Sequence, residues 1–142
     1  MKKSIFSLIT IFVLLFQTSA FAKTPSVYFN GEQMTFESDP YITEERTMVP
    51  FRAIFEAVGA SVMWDGDTRT VIAVKAEGNS ITTIALQIDS NLAFVNDKSV
   101  TLDVPAQIKD DFTFVPLRFV MESLGADVAW DGDAYKVTIT TK

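Results

Sequence analysis

Residues 47–67 read TMVPFRAIFEAVGASVMWDGD, and residues 113–133 read TFVPLRFVMESLGADVAWDGD. The offset of 66 residues (113 − 47) holds without a gap from residue 27 to residue 140. The chain therefore aligns with itself as two half-repeats, at about residues 27–80 and 93–140. Residues that are the same in both halves are the ones we expect the fold to require, and positions that differ are less constrained.

Each half-repeat contains the pattern of a short helix between a proline and a glycine. Pro50 and Pro116 suit the first turn of a helix, where a missing N–H costs nothing. Apolar residues follow at spacing i, i+3, i+4, i+7, which predicts one buried helical stripe. Gly59 and Gly125 are predicted to stop the helices in the left-handed conformation. The stripe consists of Phe51, Ile54, Phe55 and Val58 in the first half, and of Leu117, Val120, Met121 and Leu124 in the second.

Hairpin signals flank both helices. Before each helix, two-residue turns lie between β-prone runs. After each helix, a Trp-Asp-Gly-Asp corner begins a further turn, in which we expect glycine to take a positive φ and aspartate to bond the local backbone. The fold class that follows is α+β, an antiparallel β-sheet of hairpins packed on two short α-helices and internally duplicated. The early turns are at residues 30–31, 44–45, 96–97 and 110–111, and the corners are at residues 64–67 and 130–133.

The first 22 residues have the pattern of a signal peptide. Lys2 and Lys3 precede an apolar run at residues 5–16, and residues 20–22 read Ala-Phe-Ala, a small-x-small processing site. The run is too short to cross a bilayer, which needs about 20 residues. We expect cleavage after Ala22 rather than an uncleaved anchor, leaving one domain at residues 23–142 with no membrane span. The expected location is outside the cell, either secreted or at the cell surface in the wall.

Charge and composition exclude several classes of ligand and of catalytic site. Without Lys2 and Lys3 the chain has 10 basic and 18 acidic residues, a net charge near −8 that disfavours nucleic acid as a partner. Histidine and cysteine are absent, so copper and zinc sites built from imidazole or thiolate are not available. The same absence removes Ser-His-Asp and Cys-His nucleophile systems. We therefore assign no catalytic residue, metal or cofactor.

Trp64 and Trp130 recur in register with the apolar stripe. One interpretation is that each indole closes the core between helix and hairpin, and we favour it because both rings follow the phase of the buried residues. The alternative is an exposed platform on which a sugar ring stacks beside acidic residues. Exposure of the two indoles distinguishes these interpretations.

The corner carboxylates are the other candidate ligand-binding groups. These are Asp65, Asp67, Asp131 and Asp133. Calcium needs several oxygens, and an EF-hand loop has further acidic positions and a glutamate at its twelfth position, which these corners lack. We therefore interpret them as tight turns.

Two charged pairs lie beside the apolar stripe at helical spacing. Arg52 and Glu56 are four residues apart, as are Arg118 and Glu122. We interpret both as helix-surface ion pairs with a structural role, in which the arginine also reaches sheet or loop carbonyls. A site for an anionic ligand, or for acid–base work, is the alternative.

The string T-x-V-P-x-R-x-x-x-E-x-x-G-A-x-V-x-W-D-G occurs at residues 47–66 and again at residues 113–132. Together with the Asn-Gly-type hairpins before it, this string resembles the copper amine oxidase N-terminal-like domain, or stalk domain, over about residues 27–140. The departures are Ala93, which begins the second hairpin, and Asp97, which replaces a turn glycine. The resemblance implies an antiparallel sheet with helices on one face, export from a bacterial cell, and a non-catalytic role without copper or quinone.

The expected function is that of a secreted, non-enzymatic module that binds to the cell envelope or acts as a spacer there. Its expected partners are cell-wall glycan, an envelope protein or a second copy of the chain. The first alternative is a carbohydrate or peptidoglycan binder that uses the two Trp-Asp-Gly-Asp corners. The second is a small hydrolase that uses carboxylates such as Glu56 and Asp127, which requires a cleft that holds them about 5–9 Å apart.

Overall fold

Short β-hairpins and two helices alternate along residues 23–142, the part of the chain that the computed structural model describes. The predicted signal peptide at residues 1–22 lies outside the described residues. The helices are α1 (Phe51–Ala57) and α2 (Leu117–Ser123). The strands are β1 (Ser26–Phe29), β2 (Glu32–Gln33), β3 (Tyr41–Thr43), β4 (Arg46–Pro50), β5 (Ser61–Asp65), β6 (Thr70–Glu77), β7 (Ser80–Gln87), β8 (Leu92–Val95), β9 (Lys98–Thr101), β10 (Gln107–Lys109), β11 (Phe112–Pro116), β12 (Asp127–Asp131) and β13 (Lys136–Thr140).

The strands form three sheets. The terminal sheet has the order β12-β13-β1-β2 and contains the first and last strands, which pair in parallel with Val27 opposite Val137. The junction sheet has the order β10-β11-β4-β3, and the five-stranded sheet runs β5-β6-β7-β8-β9. All other named pairings are antiparallel. The predicted class, mainly antiparallel β-sheet with two short helices, is confirmed.

Both helices end as the glycines predict. Gly59 and Gly125 have φ angles of 78° and 85°. The N–H of Gly59 donates to the carbonyl of Glu56, and the N–H of Ala60 donates to that of Phe55, both at 3.0 Å. These two bonds form a Schellman motif that satisfies carbonyls left free at the helix end. The same pair of bonds recurs at the end of α2.

The two prolines lie one residue earlier than expected. Pro50 and Pro116 end strands β4 and β11 and occupy the N-cap position, with ψ angles of 127° and 115°. Proline fixes φ near −65°, a value shared by extended and helical backbone. Each residue can therefore close a strand and direct the chain into the helix that follows.

One apolar core joins the elements. Buried side chains from both helices pack against buried residues of all three sheets, including Val27, Val49 and Leu86. A second, small cluster surrounds Met48 and Phe114 in the junction sheet. The helices are only seven residues long, too short to be stable alone, so this packing holds them in place.

Many secondary-structure elements of the second half begin 66 residues after an element of the same type in the first half. The helices begin at Phe51 and Leu117, 66 residues apart (117 − 51). Strand β7 lies between β6 and β8, whereas β13 pairs directly with β1. The internal duplication, and the assignment of residues 23–142 to a single domain, stay predictions from the sequence.

Candidate functional site

Trp64 and Trp130 are exposed, so the expectation that both indoles are buried is wrong. Their exposed fractions are 40% and 41%. Trp64 lies on β5, an edge of the five-stranded sheet, and Trp130 lies on β12, an edge of the terminal sheet. Each ring shares the core-facing side of its strand with a buried cross-strand partner, Val71 or Val137. An edge strand leaves one flank of such a ring uncovered, and the indoles therefore lie at the rim of the core.

Tyr135 joins Trp130 at one of these rims. The two ring centroids are 5.2 Å apart at an interplanar angle of 70°, an edge-to-face arrangement that aromatic pairs prefer. Tyr135 has a φ of 52°, in the left-handed region. The amino group of Lys23 lies 5.0 Å from the Tyr135 ring centroid. The hairpin between β12 and β13 thus presents a pair of partly exposed aromatic rings.

A groove of about 860 Å³ opens beside this pair, and we call it the Trp130 groove. Phe119 and Val128 contribute apolar surface from α2 and β12, while Glu45 and Arg46 contribute polar groups from the first half of the chain. Its lining includes Ile42, Glu45, Arg46, Thr47, Leu102, Asp103, Leu117, Arg118, Glu122, Val128, Trp130 and Tyr135. The groove is therefore built from both half-repeats, because β4 crosses over to pair with β11.

The arginines of the Trp130 groove are bonded to carboxylates. Arg118 donates from Nη1 to Glu122 Oε1 at 3.0 Å and to the carbonyl of Val128 at 2.9 Å. The second contact ties α2 to β12, which confirms that this arginine reaches a sheet carbonyl. Arg46 of β4 forms an ion pair with Asp103 across the opposite wall. All four side chains are about half exposed or more, so they offer hydrogen-bonding groups whose charges largely cancel.

A related groove of about 620 Å³ surrounds Trp64, and we call it the Trp64 groove. Arg52 and Glu56 lie 3.8 Å apart in it, a looser contact than that between Arg118 and Glu122. The guanidinium carbon of Arg52 lies 5.4 Å from the Phe51 ring centroid. The lining is Thr35, Glu37, Pro50, Phe51, Arg52, Ala53, Glu56, Trp64, Ile108, Asp111, Phe112 and Thr113.

The two grooves differ in chemistry at positions 66 residues apart. Where the Trp130 groove has Arg46, the Trp64 groove has Phe112. Where Tyr135 stands beside Trp130, the first half has Arg69, which lies 3.9 Å from Asp89. Ile108 is also 44% exposed. The Trp64 groove thus has a phenylalanine and one long ion pair, whereas the Trp130 groove has the aromatic pair and two ion pairs.

The corner aspartates are divided between two roles. Asp65 Oδ1 accepts hydrogen bonds from the N–H groups of Asp67 at 2.9 Å and Thr68 at 3.3 Å. Hydrogen bonds from the backbone and side chain of Thr68, and from the backbone of Asp67, hold the pKa of Asp65 below its usual range. Asp131 repeats the arrangement, with two N–H donors at 3.1 Å. The first aspartate of each corner therefore organises the turn, and the side chains of Asp67 and Asp133 lie exposed.

The corner glycines do not have the positive φ that was expected. Arg69 and Tyr135 take the left-handed conformation instead, each with a φ of 52°. The turn spans four residues and closes where Thr70 begins β6, so the conformational strain falls on its last residue. A Cβ atom built on Gly66 or Gly132 would lie 3.6 or 3.5 Å from the indole nitrogen of the neighbouring tryptophan. These distances are ordinary contacts, so neither glycine is required for space.

The carboxylates of residues 23–142 form no cluster of three or more that would hold a metal ion. Glu56 lines the Trp64 groove, but Asp127 does not. Asp127 does not line the Trp130 groove either, so the two carboxylates of the hydrolase alternative do not share a groove. None of the helices in the described part of the chain is long and apolar enough to cross a membrane.

Two features of the Trp130 groove could not be read from the sequence. Tyr135 lies five residues after Trp130, and its proximity required the turn geometry described above. Arg46 and Asp103 are 57 residues apart, and their contact depends on the pairing of β4 with β11. One signal in the sequence could have indicated the aromatic pair. The Trp-Asp-Gly-Asp corner is followed by an aromatic residue, Tyr135, in the second copy only.

Residues 28–139 match the copper amine oxidase N-terminal domain. A search of curated proteins finds no match. In amine oxidases this domain is a non-catalytic, stalk-type accessory domain. The match covers most of the 142 residues, and the chain therefore belongs to the copper amine oxidase N-terminal domain family.

Proposed function

We propose that this chain is a secreted, non-catalytic module of the cell envelope that binds wall glycan in the Trp130 groove. The observation that carries the proposal is the partial exposure of Trp130 beside Tyr135 in a groove with two ion pairs. Export through the signal peptide at residues 1–22, and the descent of the two grooves from one duplicated unit, are parts of the same proposal.

The aromatic pair supports a sugar as the ligand. The face of an indole ring is electron-rich, and the C–H groups on one side of a sugar ring carry partial positive charge, so the two surfaces attract when they stack. Trp130 and Tyr135 present such surface at the rim of the core. Fixing one end of the groove with rigid rings also limits the entropy lost on binding.

The polar groups of the groove support an uncharged ligand. Arg118 and Arg46 are each bonded to a carboxylate, so an added anion would compete with groups already in place. Hydroxyl and amide groups of a glycan, by contrast, can accept from the free N–H groups of arginine and donate to carboxylate oxygens. The groove therefore favours a neutral chain with many hydrogen-bonding groups.

The Trp64 groove supports a second candidate function, contact with an envelope protein. Ile108 is exposed next to Trp64, Phe51 and Phe112. Apolar anchors surrounded by a few polar groups are typical of protein–protein contacts. In this role the chain would act as a stalk that holds a protein partner with one groove and the wall with the other.

The test uses a soluble N-acetylglucosamine oligosaccharide and isothermal titration. We expect Trp130→Ala to weaken binding by at least about tenfold, equivalent to about 1.4 kcal/mol. Trp64→Ala is the matched control, because it removes the same ring at the equivalent position of the groove that has no tyrosine beside its indole. It should leave oligosaccharide affinity within about twofold of the original.

Fluorescence provides a second measurement at the same site. In Trp64→Phe the only indole in residues 23–142 is Trp130, and added oligosaccharide should change its emission. If the unmodified protein binds neither the oligosaccharide nor insoluble peptidoglycan, the glycan proposal is wrong. Equal loss of affinity in Trp64→Ala and Trp130→Ala would also contradict it, since the loss would not be specific to one groove.

A further inference from the structure

The five-stranded sheet has an apolar face on the side away from the core that no other element of residues 23–142 covers, and we call it the outer face. Its centre is a row of directly paired residues: Met63 of β5, Ile72 of β6, Ala85 of β7 and Phe94 of β8. Met63 is 58% exposed and Phe94 is 42% exposed. Large apolar groups that form a continuous row on a surface mark an interaction site more often than scattered ones do.

The outer face is also almost without charge. Residues that pair directly across strands share a face of the sheet. The outward residues of these five strands, all within the described part of the chain, include one charged side chain, Asp65 at the corner of β5. The chain as a whole is 21% charged, so this face departs clearly from the rest of the surface.

Folding alone does not require this composition. At positions 66 residues away, the terminal sheet carries Ala129 where the five-stranded sheet has Met63, and Thr138 where it has Ile72. Tyr28 stands at the position of Phe94, and the amino group of Lys136 lies 4.1 Å from its ring centroid. The equivalent face of the terminal sheet is thus compatible with water, although its strands pair in a similar way.

We infer that the outer face of the five-stranded sheet packs against the same face of a second copy of the chain. In a twofold pair each residue meets its own counterpart or a neighbour, so like charges would face one another in most surfaces of this acidic protein. The net charge near −8 of residues 23–142, from 10 basic and 18 acidic residues, opposes association through any other broad surface. An uncharged face is the one on which two copies meet without that repulsion.

The area of the face is near the lower limit for a specific dimer. Five strands about 4.8 Å apart, with roughly four to six residues each at about 3.4 Å per residue, cover on the order of 300–500 Å² of sheet. Side chains that project from this area raise the total buried by two copies to on the order of 1,000 Å², the low end for stable complexes. The dimer is therefore weak, forms at high local concentration, and is strengthened by salt because the repulsion between acidic copies is screened.

The chemistry of other occupants fits this face less well. A membrane surface attracts basic groups, and the outward residues of β5–β9 include no lysine or arginine. A glycan chain requires polar partners, which the central row lacks. The inference is independent of glycan binding, but a dimer would present two Trp130 grooves and so raise the avidity for a repetitive polymer.

Sedimentation velocity of the purified protein, over micromolar to millimolar concentrations, tests the inference. We expect a monomer–dimer equilibrium that shifts toward dimer as salt is added. Phe94→Glu and Met63→Glu place a charge opposite its own copy and should weaken the dimer by at least about tenfold. The matched controls are Tyr28→Glu and Ala129→Glu, at the equivalent positions of the terminal sheet, and they should leave the dissociation constant within about twofold.

Circular dichroism and oligosaccharide titration of each variant separate this inference from misfolding and from the glycan proposal. A folded Phe94→Glu monomer should bind the oligosaccharide with unchanged affinity per site. If the unmodified protein stays monomeric at millimolar concentration, the inference is wrong, and binding of only an unrelated envelope protein through this face would also overturn it. Should Phe94→Glu unfold the chain, Met63→Glu on the edge strand β5 decides the question.

Discussion

Val49 and Val115 lie directly opposite each other where β4 pairs with β11, and both are fully buried. They are separated by 66 residues (115 − 49), the spacing of the sequence repeat. An antiparallel pair of strands is symmetric about the point between two opposite residues. The two half-repeats therefore meet at this contact, and the walls of both grooves depend on it, because β4 and β11 each bring one half of the chain beside the helix of the other.

The contact predicts a coupled loss of stability. Val49→Ala or Val115→Ala should each lower the free energy of unfolding by about 2 kcal/mol, because truncation leaves a cavity in a packed core. The double variant should deviate from additivity by about 0.5 kcal/mol or more, since the two side chains share one space. Urea unfolding of the four proteins of the cycle measures this, with Val100→Ala on the edge strand β9 as a control of smaller cost. Strict additivity would mean that the two valines do not contact each other.

Glycine substitutions are predicted to separate two kinds of turn. Gly59→Ala should cost about 1 kcal/mol, because a side chain is strained at a φ of 78°. Gly66→Ala should change stability by less than about 0.5 kcal/mol, since the added Cβ meets only the Trp64 indole nitrogen at 3.6 Å. Thermal unfolding of both variants, with Gly125→Ala and Gly132→Ala as their counterparts, provides the comparison. A large loss in Gly66→Ala would mean that this glycine needs a positive φ after all.

Features that depend on neighbours in the sequence could be predicted. The apolar stripe of α1 and the glycine that ends it are set by contacts three to five residues apart, and Gly59 has the conformation that was expected. The two-residue turn at Asn30 and Gly31 is another example, because both residues have positive φ angles. Local spacing is sufficient in such cases.

Features that depend on strand order could not be predicted. Trp130 follows the phase of the buried residues, but its exposure arises because β12 is the edge of its sheet. Thr47 and Trp130 line the same groove only because β4 crosses to β11. In the corner turns, a side chain competes with the usual turn geometry. Asp-Gly usually indicates a two-residue turn, but the Asp65 side chain accepts hydrogen bonds from two backbone N–H groups and so favours a four-residue loop.

The two helix-surface arginines are predicted to contribute unequally. Arg118→Ala should lower the free energy of unfolding by about 1 kcal/mol, because it loses the ion pair to Glu122 and the bond to the Val128 carbonyl. Arg52→Ala should lower it by only about 0.3 kcal/mol, since its contact with Glu56 is 3.8 Å long and exposed. Denaturant unfolding measures both. Equal losses would mean that the carbonyl contact contributes nothing to stability.

Protonation of Asp65 is predicted to weaken the fold in acid. Hydrogen bonds from Thr68 and Asp67 lower the pKa of this carboxyl in the folded state relative to the unfolded value near 3.8. A lowered pKa means that the unfolded state binds the proton more readily. The stabilisation is therefore fully present above the unfolded pKa and disappears as the pH falls through the folded one.

Two substitutions at Asp65 separate the charge from the hydrogen bonds. Asp65→Asn retains an oxygen that accepts from both N–H groups but does not titrate, so its melting temperature should fall less steeply than that of the unmodified protein as the pH is lowered below about 4. Asp65→Ala removes the acceptor and should be less stable at every pH. Thermal melts from neutral pH down to about pH 2, together with NMR titration of the Asp65 carboxyl carbon, give the result. Parallel curves for the unmodified protein and Asp65→Asn would show that the turn gains nothing from the ionised carboxylate, and that Asp65 acts through hydrogen-bond geometry alone.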